Sequence, residues 1–225
     1  MNGIGFLSVP ETNAEAQENF AEDLAEIGYV MNVTRLWAYQ PATMNGLFSL
    51  LRQSNSEDRL TLRQRYILIT ACASAFGDSS CALVYACKLA EDSDADTAAA
   101  VLLGPDDGLI PSERAIARWA RKVARGPNDT SAADVQELRD AGFSDSQIFT
   151  ITTFVALRLA FSTINDALGL LPDAAIRTTA PAAVLDAVTF GRPIETQSRP
   201  GSVAEPSEMP IPETAQTIPS RKGSA

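Results

Sequence analysis

The sequence has 225 residues, 45% hydrophobic and 20% charged, with a formal charge of −10 from 28 acidic and 18 basic side chains; this fits one domain with a full core and appended tails. The imbalance sits on residues 1–191, because the segment from Arg192 onward sets four basic residues (Arg192, Arg199, Arg221, Lys222) against four acidic ones (Glu195, Glu205, Glu208, Glu213); an acidic body repels phosphate backbones and anionic lipid, which argues against nucleic-acid binding. Histidine is absent and only three cysteines occur, so transition-metal ligand sets and a disulfide framework are excluded, and no cofactor is expected.

The elements read as helices from the start. Pro10 precedes an acidic stretch, Glu11 to Glu26, with Ala14, Phe20, Leu24 and Ile27 at helical spacing and Gly28 as a stop. Met31–Tyr39 reads as a short helix, and Pro41 opens another carrying Leu47, Leu50 and Leu51. Thr61 caps a long apolar helix to about Phe76; after the Gly77-Asp78 turn, Ser79 or Ser80 starts the next, through Ala90. Ala95–Leu103 is alanine-rich and short, and a Gly, Pro and Asp loop (Gly104–Pro111) follows it.

Beyond that loop, Ser112–Arg125 places Ala115, Ile116, Trp119, Ala120 and Val123 on one stripe. Ser131–Ala141 ends at Gly142. Ser144 with Gln147 forms a capping box that opens the longest helix, Asp145 to about Leu168. Val184–Val188 adds one more short helix. No alternating strand pattern with hairpin turns is seen, so the class is all-α. From Gly191 the composition turns to proline (193, 200, 206, 210, 212, 219), Ser, Thr, Glu and Gly. The expected organisation is a single helical domain over 1–190 and a disordered Pro-rich tail over 191–225.

The start of the chain, MNGIGFLSVPE, has neither a charged opening nor an apolar core, and the uncharged runs Tyr66–Gly77 and Ser146–Leu157 are 12 residues each. A membrane span needs roughly 20 apolar residues, so a cytoplasmic location with no membrane partner is expected. No Walker motif or GxGxxG appears.

The stretch LTLRQRYILITACASAFGDSSCALVYACKLA resembles the carboxymuconolactone decarboxylase and alkyl hydroperoxidase D family, whose peroxidase-related members are helical and usually oligomeric. In that family a glutamate on the first helix is followed by CxxC at the start of the second and a histidine four residues on. One thiolate attacks the peroxide, the second resolves the sulfenic acid as a disulfide, and the Glu and His move protons. Here the glutamate position holds Tyr66, after the matching Arg65. The first cysteine position holds Asp78, the second holds Cys81, and the histidine position holds Tyr85.

The resemblance continues in SERAIARWARKVARGPNDTSAADVQELRDAGFSDSQIFTITTFVALRLAFSTINDALG and in the lead-in GYVMNVTRLWAYQP, covering about residues 25–172. It implies an alkyl hydroperoxidase D-like helical bundle, a homo-oligomer and a small-molecule ligand.

The residues leave several roles open. Cys81 opens a helix, a position that lowers a thiol pKa, while Asp78 opposes this as a nearby negative charge. Cys81 and Tyr85 share a helix face; Cys87 points elsewhere, and Cys72 and Cys87 read as core packing. Tyr66 and Tyr85 are either hydrogen-bond donors to a small substrate or interface residues. Arg158, in FVALRLAF, has no other charge between Asp145 and Asp166. It needs an ion-pair partner on another helix or subunit, or binds an anion. Asn165, beside Asp166, is a helix–helix contact or a wall of the substrate pocket.

Three functions follow. The first is a peroxidase-related oxidoreductase using Cys81. The second is a non-redox enzyme on a small organic acid, with Tyr66, Asp78 and Tyr85 as acid–base groups and Arg158 holding the carboxylate. The third is a non-catalytic binding or scaffold protein.

Overall fold

The computed structural model describes residues 3–56 and 60–196. A two-residue hairpin, β1 (Gly3–Ile4) and β2 (Leu7–Ser8), precedes eleven helices among the described residues. In chain order these are α1 (Ala14–Ile27), α2 (Asn32–Trp37), α3 (Pro41–Ser54), α4 (Leu62–Phe76), α5 (Ser79–Asp92) and α6 (Ala95–Leu103). The second half supplies α7 (Pro111–Arg125), α8 (Ala132–Asp140), α9 (Asp145–Ala167), α10 (Ile176–Thr179) and α11 (Ala182–Ala187).

Local chemistry sets most boundaries. Asn13 accepts from the Ala16 amide and so starts α1 three residues inside the acidic stretch, while Gly28 ends it at φ +79°. Thr61 and Gln64 form a reciprocal capping box at α4, as Ser144 and Gln147 do at α9, each satisfying two otherwise orphaned amides. Asp78 caps α5 by accepting from the Cys81 amide at 2.9 Å.

Helix α4 is the centre of the bundle. Seven consecutive residues, Ile67 to Ala73, are buried, so it presents no solvent face in its middle. Packing α5, α6, α7 and α9 around it achieves this. Burial of each large side chain there, such as Ile67 or Leu68, contributes about 1.5–3 kcal/mol relative to exposure. The stripe expected on α7 faces α4, with Ala115, Ile116, Trp119, Ala120 and Val123 all buried. On its other side α7 buries Arg121, which grips Asp106 through both guanidinium nitrogens at 2.6 and 2.8 Å. Helix α9 is long and apolar enough to cross a membrane by length and composition, yet α3, α4, α7 and α8 pack along it as a core helix.

Two elements differ from the sequence reading. The β1–β2 hairpin carries no alternating pattern; Gly5 makes it, at φ +59°, where a Cβ would lie 2.2 Å from the Leu168 carbonyl oxygen. The disordered tail expected from Gly191 is corrected over 191–196. Glu195 donates its amide to Pro172 O at 2.9 Å and accepts from Asn32 Nδ2 at 2.9 Å, and Ile194 packs on the core. Composition could not anticipate this, because the anchoring is mainly backbone hydrogen bonding. Residues 197–225 lie outside the described residues.

Candidate functional site

Gly77, at φ +93°, reverses the chain between α4 and α5 and brings their facing sides together. Tyr66 from α4 and Tyr85 from α5 meet with ring centroids 6.2 Å apart. Arg158, from the middle of α9, enters from the third side. Its Nη2 lies 3.4 Å from Cys81 Sγ and its Nη1 3.5 Å from the Tyr85 hydroxyl. The guanidinium sits over the Tyr85 ring at 4.8 Å and the Phe161 ring at 5.2 Å. Phe161 is in turn stacked on Trp37 and met edge-on by Phe48. Ser162 Oγ completes the surroundings of Cys81, 3.9 Å from the sulfur.

Arg158 is only 3% exposed. Of the two roles left open for it, an ion pair with another helix finds no partner within the chain: among the described residues none of the salt bridges involves Arg158. Its contacts are a thiol, a phenol and two ring faces, and its Nε has no hydrogen-bond partner. Burial opposes its charge, but Tyr85, Cys81 and the buried Asp78 carboxylate favour it on balance, without a direct carboxylate bond.

Of the two opposing influences read at Cys81, the one against a thiolate prevails. Burial pushes its pKa well above the ordinary thiol value, the Asp78 carboxylate raises it further, and Arg158 only partly offsets them. The helix-start field is overcome because the thiol is 6% exposed and its capping residue is itself charged. Cys72 is likewise pushed up to about 12 by burial, and Cys87 to about 11. Cys72 lies in the core near enough to Arg158 for the cation to offset part of its rise, and Cys87 packs against the same core.

A pocket of about 350 Å³ opens beside this cluster. Phe48, Leu51, Arg52 and Asn55 of the α3 region line one side, with Leu62, Arg65, Tyr66 and Ile69 of α4, Tyr85 and Lys88 of α5, and Phe154 and Arg158 of α9. Four of these side chains are cationic. No carboxylate lines the pocket among the described residues, and the buried Arg65 Nε has no partner. Of the sequence candidates, Tyr66, Tyr85 and Arg158 converge here. Cys81 lies behind Arg158 and does not line the pocket. Asp78 is wholly buried at the α5 cap, its Oδ2 without a partner. Asn165, 1% exposed, accepts from Trp37 Nε1 at 2.8 Å and stands outside the pocket.

Sequence reading missed Phe48, Arg52, Asn55, Lys88 and Ser162. Arg65 it noted only as a motif neighbour. The i, i+3 spacing of Tyr85 and Lys88 was an available signal, whereas Phe48 and Arg52 reach the site only through tertiary packing.

Comparison with solved structures places the architecture. An uncharacterized peroxidase-related protein with an alkylhydroperoxidase AhpD core, from Ralstonia eutropha JMP134, superposes with a TM-score of 0.69 at 21% identity, over 78% of this chain and 96% of that one. The chain has the alkyl hydroperoxidase D fold. An uncharacterized peroxidase-related protein from Silicibacter sp. TM1040 shares this fold at a TM-score of 0.68 and 20% identity, over 76% and 93%. The debrominase Bmp8, solved apo and, as a cysteine-to-alanine variant, in complex with 2,3,4-tribromopyrrole, matches at a TM-score of 0.61 and 17% identity. Its apo form aligns over 78% of this chain and 92% of that one. No protein-family model matches the chain, and no curated protein matches it. The helical bundle expected from the resemblance is thus the fold observed.

Proposed function

We propose that this protein binds and transforms a small organic anion in the pocket between α3, α4, α5 and α9. Arg158 holds the anionic group, and the Tyr66 and Tyr85 hydroxyls supply and accept protons. The observation that carries this reading is the pocket's lining: four cations, two tyrosines and apolar walls, with no described carboxylate to neutralise them. A fixed guanidinium with an unused N–H in a low-dielectric floor recognises a carboxylate or phenolate strongly. A volume of about 350 Å³ lies at the small end of the range for small-molecule sites and suits a single-ring ligand. The debrominase of the same fold that binds 2,3,4-tribromopyrrole shows a ring of that kind as a ligand of a related structure.

The test is calorimetric titration of the purified protein with benzoate and a series of small carboxylates, then repeated with Arg158→Met and Tyr85→Phe. Millimolar or tighter binding that disappears in Arg158→Met is the expected result. Failure of every carboxylate to bind the unmodified protein would reject the reading.

A second reading, a thiol oxidoreductase centred on Cys81, is favoured by the 3.4 Å contact between Cys81 Sγ and Arg158, since a cation there would stabilise a thiolate once formed. A dithiol cycle is disfavoured because Asp78 stands at the first cysteine position of the motif that the sequence resembles. This second reading therefore requires an external thiol to reduce a Cys81 sulfenate.

A further inference from the structure

The segment 191–196 has neither helix nor strand and is fixed at two corners of the fold. At the first, the Arg192 amide donates to Ser79 Oγ at 3.0 Å, beside the α4–α5 turn. At the second, the Glu195 amide donates to Pro172 O at 2.9 Å. Arg177 of α10 is engaged with the Ile194 and Glu195 carbonyl oxygens there, at 2.7 and 3.4 Å. The side-chain anchor of the second corner is Asn32, 3% exposed at the start of α2. Its Nδ2 donates to Leu171 O at 3.2 Å and to Glu195 Oε2 at 2.9 Å, while its backbone amide donates to Asp173 Oδ1 at 2.8 Å.

One asparagine therefore holds two carboxylates, one from the segment and one from the stretch that follows α9. A third stands beside them: Asp23 of α1, 8% exposed, accepts from the Met31 amide at 2.9 Å. Among the described residues none of the salt bridges involves Asp23 or Asp173. Burial pushes the Asp173 pKa up to about 6, and the Glu195 and Asp23 charges add to the rise; the Asn32 bond and the Arg35 charge of α2 only partly offset it. The Tyr29 phenol, between α1 and α2, feels the same carboxylates. Burial first, then Asp173 and Asp23, push its pKa up to about 12, so it stays neutral. Like charges gathered at a partly buried corner are relieved by a proton on one of them.

We propose that this corner is a proton-operated latch for the segment 191–196. With the Asp173 carboxyl neutral, Asn32 holds the segment down through Glu195. When Asp173 ionises, its charge opposes those of Glu195 and Asp23, and the segment lifts from the α1–α2 junction. This goes beyond anion binding and stands independently of it.

The direction follows from linkage. Seated, Asp173 titrates at about 6; released, it returns toward 3.8. Opening therefore becomes easier as pH rises from 3.8 through 6 and levels off above, by at most about tenfold between pH 5.0 and 7.5. Segments of this kind also open at a lower free-energy cost than core helices.

The experiment follows amide exchange with deuterium in the full chain at pH 5.0 and 7.5, each rate divided by its intrinsic value at that pH and the Glu195 amide resolved separately. It compares the unmodified protein with Asp173→Asn and Glu195→Gln, each of which removes one charge and keeps an acceptor for Asn32. Amides of Ile67 to Ala73, buried in α4, report general loosening. The expected result is that Glu195 protection falls by at least about threefold from pH 5.0 to 7.5 in the unmodified protein. It should stay level in Asp173→Asn and fall less in Glu195→Gln, which decides alone where Asp173→Asn does not fold. Asp166, whose pKa is held up at about 7 beside Arg192 at the first corner, is present in all three proteins, so its titration cannot produce these differences. Constant protection in the unmodified protein, the same fall in the variants, or a parallel fall in α4 overturns the latch.

Discussion

Replacing Arg158 by methionine asks whether the guanidinium is kept for binding or for folding. The favourable contacts add up to little. Two ring faces at 4.8 and 5.2 Å contribute about 0.5–1 kcal/mol each, and two long contacts to neutral acceptors add about 1 kcal/mol together. Against them stands the desolvation of a cation that is 3% exposed, which Tyr85, Cys81 and the buried Asp78 carboxylate offset on balance, so that the charged form is favoured. Methionine fills the same channel and keeps sulfur–aromatic contact with Tyr85 and Phe161.

Methionine also leaves the buried Asp78 carboxylate without the cation that acts with it, so Arg158→Met is expected to lower the unfolding free energy by about 2 kcal/mol, a fall of ~4–8 °C in Tm for a domain of this size. It is expected to abolish benzoate binding at the same time. The assay is urea unfolding followed by circular dichroism, alongside the calorimetric titration. A gain in stability would refute the reasoning, because it would mean that Asp78 does not act as a counter-charge to Arg158. Arg158→Lys is the control for charge without the planar fork, and it should bind more weakly than the unmodified protein.

Tyr85→Phe keeps the ring beneath Arg158 and removes only the hydroxyl, so benzoate affinity should fall by no more than about tenfold while turnover of any carboxylate substrate is lost; full activity in this variant would remove Tyr85 from the proton-carrying role. Burial, with the Asp78 charge, holds the Asp166 pKa up at about 7 against an ordinary 3.8. The fold thus retains a proton that the unfolded chain releases, and the resulting stability is complete below pH 3.8 and lost as pH rises through 7. Screening at this half-buried site reduces the full ~4 kcal/mol to about 1–2 kcal/mol. Asp166→Asn should gain that amount at pH 8 and nothing near pH 3.5 in urea titrations; equal gains at both pH values would contradict the assignment. With Cys81 sealed and protonated, brief hydrogen peroxide treatment at pH 7 should leave all three thiols titratable. Selective loss of Cys81, absent in Cys81→Ser but retained in Cys87→Ser, would favour the oxidoreductase reading instead.

Helix boundaries were legible because their signals are local: Thr61 with Gln64, Ser144 with Gln147 and Gly28 each act on amides within one turn. The pairing of Tyr66 with Tyr85 followed from the resemblance, which set both on the facing sides of one hairpin. What escaped the sequence depends on distance through space. Nothing near Arg52 in the chain shows that α3 leans over the α4–α5 pair, and nothing in a proline-bearing stretch shows that Gly191 will fit against Gly77. The balance at Cys81 was open for a related reason. The sequence shows both the helix start and the opposing Asp78, but only packing reveals the burial that decides between them.

Asp78 connects the missing dithiol chemistry with the pocket. A carboxylate is a better helix cap than a thiol, so this residue at the start of α5 contributes on the order of 1 kcal/mol through its bond to the Cys81 amide. Burial first, and this same charge second, hold Cys81 as a neutral thiol. A neutral thiol is no counter-ion, and so the guanidinium 3.4 Å away has the Asp78 carboxylate as its counter-charge, with no direct bond between them. The guanidinium faces a pocket whose described lining contains no acid. Asp78 at the helix cap thus helps to keep the neighbouring thiol neutral and balances Arg158 without taking its N–H groups by a direct bond. Asp78→Asn keeps the cap and removes the charge, so it should lower the Cys81 pKa and strengthen benzoate binding together; a change in only one of the two would break this link.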